Sequence, residues 1–525
     1  MSVELPPPPQ PQLGSVEALQ QQAGAGVSVG FQTYQIHVSA TNVLNEAAIR
    51  NAIGVAGDLS NAVRNLGAAA YLAGFPAAQV AYALSGHDLY VTVTPGKVSG
   101  IRAPEPLKPY LDGLQNANPL TASDMEPRRT LASMAADRAG VTIYPVFEPD
   151  GNGGQVLDFE KNSKDTDPTM VKAELSNVGN RFASRYFLDA DLKTASVWGD
   201  EFRLFWRHGL SQFENRGNPG DYNEQDLGWN RVTPWGVFGI AGRYVNYFYN
   251  PGQVEPLDGR IYTGEASWMY PLYADFTKRL TLQVKADRTG KRLKLQDSVT
   301  VSSGGTTTTL PAGTEAQHQL YTSGEIGLAY GQNFEFISHQ WSFEGAATVR
   351  KGFGNDKIGD QFVLANEGYL LYRPAVRLKF FWTGTIDSGI EGSGQITNTT
   401  VPEQQQWVLG GVGNLTSSLP GVAVGDKGYL ARAFTEVALP SVYGVSFTPK
   451  IFVEQGGAKF SNPAAIGQIA GTQKLVDVGG ELGFKFTKFV DGSFAYAHAF
   501  RERDISPATK DASKAQLYFR IAAKF

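Results

Sequence analysis

The chain has 525 residues, with 46 Lys and Arg against 50 Asp and Glu and no cysteine. A net charge of −4 offers no basic footprint for nucleic acid, and the lack of thiols excludes a disulfide framework and thiolate metal sites. No apolar run approaches the roughly 20 residues of a membrane-spanning helix, so a chain of this kind crosses a bilayer only as a closed β-barrel.

The first stretch, 1–30, opens Met1-Ser2-Val3-Glu4 without a charged and then apolar leader, so a signal peptide is expected to be absent or already removed. Prolines at 6–9 follow, and only 15–22 has helical character. The stretch is expected to be a flexible arm, too short to thread a barrel as a plug. Gly26-Val27-Ser28-Val29-Gly30 has the spacing of a nucleophile elbow but lacks the strand, turn and helix that the motif needs.

A small α+β module is expected over 31–103. Tyr34, Ile36 and Val38 alternate as a strand, Ile49 and Ile53 and then Leu59, Val63, Leu66 and Ala70 mark two helices, and strands at 79–84 and 89–93 close the unit. A second module, 104–164, reads as a short helix at 107–114, a longer one at 125–139, and strands 141–147 and 155–159 across the turn Asp150-Gly151-Asn152-Gly153. Such modules are either spacers or offer a strand edge and groove for a peptide.

From 165 to 525 helical periodicity gives way to about sixteen alternating segments. The last, 515–525, sets Leu517, Phe519, Ile521, Ala523 and Phe525 against Tyr518, Arg520, Ala522 and Lys524. Short connectors are expected at Asp275-Phe276-Thr277, Asn333 and Arg373-Pro374-Ala375, and long ones at 293–317, 389–427 and 460–473. That asymmetry, short turns at one end and long loops at the other, is the signature of an outer-membrane barrel. The expected fold is therefore a membrane β-barrel of about 16 antiparallel strands behind two small α+β modules.

Six unclustered histidines argue against a metal site, and neither a phosphate-binding loop nor a nicotinamide or flavin fingerprint is present. No nucleophile, base and orienter can be named, so the reading is of no cofactor and no enzyme. The unusual stretch is 407–421 inside the longest connector, with Gly410, Gly411, Leu415, Thr416, Ser417, Ser418 and Gly421, followed by Asp426 and Gly428. Leu and Val gain nothing in an exposed loop, and glycine permits close approach to a wall, so loop 389–427 is expected to fold into the barrel. On the wall, Phe452, Glu454 and Gly456 share one face, which points Glu454 inward, and Arg432 and Glu436 lie on the neighbouring strand.

Two β-α-α-β-β modules, about sixteen strands, the long loop and the terminal Phe525 resemble the two-partner secretion outer-membrane transporters (TpsB), relatives of the barrel-assembly protein BamA. The resemblance implies that the modules are periplasmic polypeptide-transport-associated (POTRA) domains. Gly410-Gly411 matches the family's inward loop, but Leu415-Thr416-Ser417-Ser418 stands where Val-Arg-Gly-Phe or Val-Arg-Gly-Tyr belongs. Phe452-x-Glu454-x-Gly456 stands for Phe-x-Asp-x-Gly. The loop arginine that would pair with Glu454 is missing, and Arg432 is the candidate substitute. The implied partners are a secreted or surface polypeptide, the lipid bilayer and lipopolysaccharide, with no nucleic acid and a monomeric barrel. Tyr34, Ile36, Val38, Val80 and Tyr82 would form the docking surface for the polypeptide. The implied function is capture of an unfolded exported polypeptide and its passage outward. The alternatives are a surface-protein assembly, anchoring or barrel-insertion factor, or a passive pore.

Overall fold

The computed structural model describes the chain except residues 1–6, 24–25, 41, 116, 152–153, 164–167, 181–183, 196–198, 214–221, 250–255, 304–305, 355–367, 465–470 and 516. Part of the expected turn, Asn152-Gly153, therefore lies outside the described residues.

The first module contains β1 (Gln12–Leu13), α1 (Val16–Ala23), β2 (Val27–Phe31), β3 (Tyr34–Ser39), α2 (Glu46–Gly54), α3 (Leu59–Leu72), β4 (Gln79–Ser85) and β5 (Asp88–Thr94). Its five-stranded sheet runs β1-β4-β5-β3-β2. Asn45 and Asp58 cap α2 and α3, accepting the N–H of Ala48 at 2.9 Å and of Asn61 at 2.7 Å. These helices bury Ile49, Ile53, Val63 and Leu66 against Ile36, Val38, Val80, Leu89 and Val91 on one sheet face. The other face is covered by α1, whose Leu19 and Ala23 are buried with Ala83 and Tyr90.

Two expectations change here. Residues 12–23 and 27–31 are a built part of the module and not a flexible arm; two apolar positions four apart look like a solvated turn until a finished sheet offers them a partner face. The docking surface also fails as drawn. Tyr34, Ile36 and Val38 lie on β3, an interior strand, and Ile36, Val38 and Val80 point into the helix-covered core. Tyr82 and Tyr34 stay half-buried.

The second module contains β6 (Val98–Arg102), α4 (Lys108–Leu111), α5 (Ala122–Arg138), β7 (Val141–Pro149) and β8 (Gln155–Ser163), with sheet order β6-β8-β7. The expected boundary at 103 therefore moves ahead of Val98, since β6 pairs in parallel with β8. The core of this module, including Leu111, Leu114, Met125, Leu131 and Leu157, runs on into the barrel through Val232, with Val237, Tyr270 and Phe276 packed against it. The buried Tyr110 hydroxyl donates to the Val232 carbonyl at 2.7 Å, and Arg138 donates to the carbonyl of Gly199 and to Asn230. Tyr71 of the first module stacks on Phe276 at 4.5 Å.

Among the described residues, sixteen antiparallel strands close into a barrel. In order they are Thr169–Ser176, Phe187–Ala195, Asp200–Gly209, Tyr222–Thr233, Gly236–Tyr249, Leu257–Ala274, Lys278–Leu295, Glu315–Phe336, His339–Phe353, Leu370–Phe381, Ile386–Gln395, Lys427–Val437, Val445–Lys459, Gln473–Phe486, Val490–Arg503 and Leu517–Lys524. The turn at 275–277 falls where expected. Asn333 instead lies inside strand 8, and the chain reverses at Ile337 and Ser338, both left-handed with φ of 51° and 57°. Arg373-Pro374-Ala375 lies inside strand 10. Pro374 sits at a break in the ladder between Ala375↔Ser393 and Tyr372↔Ile396, where its missing N–H is tolerated. The long loop accordingly runs 396–426, not 389–427.

The modules contact residues at the short-turn end, such as Phe276 and Val232. Around the wall, Phe202, Ile240, Ile326, Ile390, Ile451 and Val453 point outward and are exposed. The alternate positions carry ion pairs such as Arg207–Asp189 at 2.7 Å and Lys379–Asp387 at 2.8 Å. Aromatic rings of Trp341, Phe380 and Trp382 pack together near the short turns, with Phe380–Trp382 centroids 4.2 Å apart. A continuous outward apolar band of this extent is stable only against lipid. The protein is an outer-membrane β-barrel with its modules on the periplasmic side.

Candidate functional site: a loop across the barrel interior

Loop 396–426 leaves strand 11 and crosses the barrel interior. Its first half is fastened to strands 7, 8 and 10. Lys291 pairs with Glu403, the Gln405 amide donates to the Tyr321 hydroxyl at 3.3 Å, and Arg373 donates to Gln405 Oε1 at 3.1 Å. Val401 is buried with Tyr321, Tyr369 and Leu371. Its tip lies against strands 13 to 16. There Leu409, Leu415, Val422 and Ala423 bury with Ala458 and Leu475, and Leu419 with Ala495, Ala515 and Tyr518. The leucines and valines that make no sense in an exposed loop thus form small apolar cores against the wall.

Glu454 and Asp477 face each other across strands 13 and 14, and both have 0% exposure. Two adjacent buried carboxylates are costly without donors. The loop supplies them from consecutive main-chain groups: the Thr416 N–H donates to Glu454 Oε2 and the Ser417 N–H to Asp477 Oδ2, each at 2.7 Å. Arg432 stands opposite Glu454 in register, with Nε 3.3 Å from Oε1 and its guanidinium 4.7 Å from the Phe452 ring. The hydrogen bond to Glu454 thus comes from the loop main chain and not from Arg432, the expected substitute, which stands beside it as an ion pair; Glu454 Oε1 and Arg432 Nε have no hydrogen-bond partner.

The tip is shaped so that both amides point one way. Gly410 has φ of 114°, and a Cβ there would lie 2.1 Å from the Leu419 carbonyl oxygen. Leu415 is left-handed at φ 69°, which turns the next two N–H groups toward the wall. The turn is closed by Gly411 N–H to Ser418 O at 2.7 Å, Gly421 N–H to Leu409 O at 2.9 Å and Gly413 N–H to Thr416 Oγ1 at 3.0 Å. At Gly456 a Cβ would come within 3.0 Å of the Leu415 side chain, so this wall glycine makes the room for the tip. Gly428 similarly leaves space for the Trp407 ring. Asp426 staples the loop's end, accepting from Val401 N–H at 3.0 Å and from Ser461 N–H at 2.7 Å. Glu436 lies farther down the wall and touches no loop residue; it pairs with Lys450 at 2.8 Å and Lys379 at 3.0 Å.

Three contributors are absent from the sequence reading. Asp477 shares the inward face of strand 14 with Leu475, and opposite it strand 15 carries one extra residue, Phe500, between the partners of Asp477 and Val476. Tyr518 donates its buried hydroxyl to the Ser418 carbonyl at 2.6 Å, and Leu419 N–H donates to Ser513 O at 2.7 Å. Tyr518 was visible only as a polar-face residue of the last strand. Beside the loop's root lies a cavity of about 760 Å³ lined by Lys291, Glu403, Asp287, Arg350, Val245 and Tyr247, among others.

Fold and site together define a class: a sixteen-strand outer-membrane barrel with periplasmic POTRA-like modules and an inward-folded loop. Comparison with known proteins agrees. The structure is similar to that of CdiB from Escherichia coli, with a TM-score of 0.67 and 15% identity over 97% of this chain and 95% of that one. It is also similar to CdiB from Acinetobacter baumannii, with a TM-score of 0.62 and 14% identity over 99% and 95%. In sequence the chain is 23% identical over 290 residues to the heme/hemopexin transporter protein HuxB of Haemophilus influenzae, covering 54% of this chain and 48% of the relative. The chain thus matches about half the length of that curated relative. No family model matches the chain. The resemblance to two-partner secretion transporters read from the sequence is borne out in the fold.

Proposed function

We propose that the protein captures an unfolded exported polypeptide in the periplasm and passes it through the barrel to the cell surface, as a two-partner secretion transporter. The observation that supports this most is the loop across the interior. It closes a barrel wide enough for a channel, yet it is held at its tip by main-chain bonds and small apolar contacts that can be released without unfolding the wall. The cavity beside its root leaves space on the path. No step of this activity is catalytic and none uses a cofactor, so folding of the exported polypeptide outside would supply the driving force.

The test is co-expression with a secreted polypeptide encoded beside this gene. Removing residues 410–421 is expected to raise ion conductance in planar bilayers and abolish surface appearance of the partner. Export that survives this deletion, or partner export in the absence of the transporter, defeats the reading.

A second reading, assembly of surface protein at the barrel seam, draws on one feature. Strands 16 and 1 close the barrel through Arg520↔Ser176 to Lys524↔Lys172, five residue pairs, the shortest ladder among the described barrel strands. Cysteines replacing the paired Ala173 and Ala523 would lock that seam. Passage through the lumen survives the lock, whereas assembly through the seam does not.

A further inference from the structure

We propose that the lipid-facing side of strands 9–14 carries a seat for one phospholipid of the periplasmic leaflet, with an acyl chain in a groove of the wall and an ester carbonyl on the hydroxyl pair Ser388–Thr435. The seat lies on the outer surface of the barrel and does not depend on what passes through the lumen.

Alternation turns Ser388, Ala433 and Thr435 outward, because they stand in register with the exposed Ile390, Ile451 and Val453. Their short side chains form a floor. Trp341 and Phe380 rise on one side of it, and Ile451, Val453 and Val478 on the other. The groove between them holds about 650 Å³, a volume usual for a small-molecule cleft. Val453 and Val478 are the chain neighbours of Glu454 and Asp477, so the groove lies on the back of the wall against which the loop tip is seated.

Hydroxyls on a lipid face are costly unless their protons are accepted. The Trp382 indole N–H donates to Ser388 Oγ at 2.9 Å, and the Ser388 and Thr435 hydroxyls share a hydrogen bond of 2.8 Å. Two hydroxyls hold two protons, and the bond between them uses one. The other remains to be given, and neither hydroxyl forms a further bond among the described residues. Depth selects the acceptor. Trp382 opens the short turn 382–385, and Ser388 pairs with Phe380 just inside it, at the level of the aromatic rings. Such rings sit at the headgroup boundary, so the acceptor that a bilayer offers one step deeper is a glycerol ester carbonyl. From there the groove runs toward the midplane past Ile390, Val453 and Val478, which suits the acyl chain of the same molecule.

The test is native mass spectrometry of the full-length protein, its barrel checked by heat-modifiability gels, at an activation that strips annular lipid. The probes are palmitoyl-oleoyl phosphatidylethanolamine and the di-ether lipid of the same headgroup and chains, which lacks ester carbonyls. Wild-type protein should keep one diester lipid per chain and hold the di-ether about 5-fold more weakly. Ser388→Ala with Thr435→Val removes both hydroxyls at nearly constant volume and should hold the two lipids equally weakly. Ala433→Phe fills the floor and should lose both, whereas Ile240→Phe, at an outward position on strand 5, should leave retention unchanged. Equal retention of diester and di-ether by the wild type, or full retention by Ala433→Phe, overturns the seat. A dimer of the lipid-free wild type that Ala433→Phe abolishes also overturns it, because a second barrel then occupies the groove.

Discussion

Removing both carboxylates at the loop tip, Glu454→Ala with Asp477→Ala, strips the Thr416 and Ser417 N–H groups of their acceptors in a fully buried setting. A hydrogen bond to a charged acceptor contributes about 1.5–3 kcal/mol net, so the pair amounts to about 3–6 kcal/mol. At 1.4 kcal/mol per factor of ten, even the low end shifts the balance between seated and released tip by roughly 100-fold. The loop's root, fastened to strands 7, 8 and 10, is untouched, so release frees the tip while strands 11 and 12 hold the ends. The assay is single-channel recording in planar bilayers after heat-modifiability gels confirm a folded barrel. Wild-type protein should show rare openings, and the double variant frequent or sustained ones. Glu454→Gln with Asp477→Asn keeps an acceptor oxygen at each position and should behave much more like the wild type. A double alanine variant that is folded and opens no more often than wild type refutes the idea that these two bonds seat the tip.

Tyr518→Phe removes the buried donor to the Ser418 carbonyl and should cost about 1–2 kcal/mol, raising channel opening by about 5- to 30-fold; an unchanged opening rate counts against a contribution from strand 16. Gly410→Ala forces a Cβ against the Leu419 carbonyl at a left-handed position, and limited proteolysis should find the 396–426 loop cleaved in the variant but protected in the wild type. Tyr110→Phe should loosen the second module from the barrel rim, seen as faster hydrogen exchange in α5 with the strands unaffected. Burial raises the Tyr110 pKa above its ordinary 10.0, partly offset by Arg231 and Arg138. The neutral hydroxyl is the form held at the joint, so its contribution is fully present below about pH 10 and fades as pH climbs through the raised value; a protection factor in α5, referenced to the base-catalysed exchange of free amides, that falls between pH 6 and 8 would contradict this.

Sequence alone settled what depends on local pattern. Period-2 alternation repeated sixteen times specifies strands with a lipid face and a lumen face, and the contrast between short and long connectors specifies which end meets the periplasm. The oddity of leucines and paired glycines in 407–421 was enough to send the loop inward, and alternation around Val453 was enough to turn Glu454 the same way. Tertiary structure decided the rest, because it depends on groups brought together from far apart. Pro374 inside a strand and the left-handed Ile337-Ser338 turn follow from ladder positions that propensity does not encode. The seating of Leu19 on Ala83 needed a finished sheet, which made a built element of a stretch that reads as a loose arm. At the loop tip, the donors to Glu454 and Asp477 are main-chain N–H groups, which every residue but proline carries. No side-chain pattern can announce them; only the fold, by turning two consecutive amides toward two carboxylates on neighbouring strands, puts charge and donor within 2.7 Å.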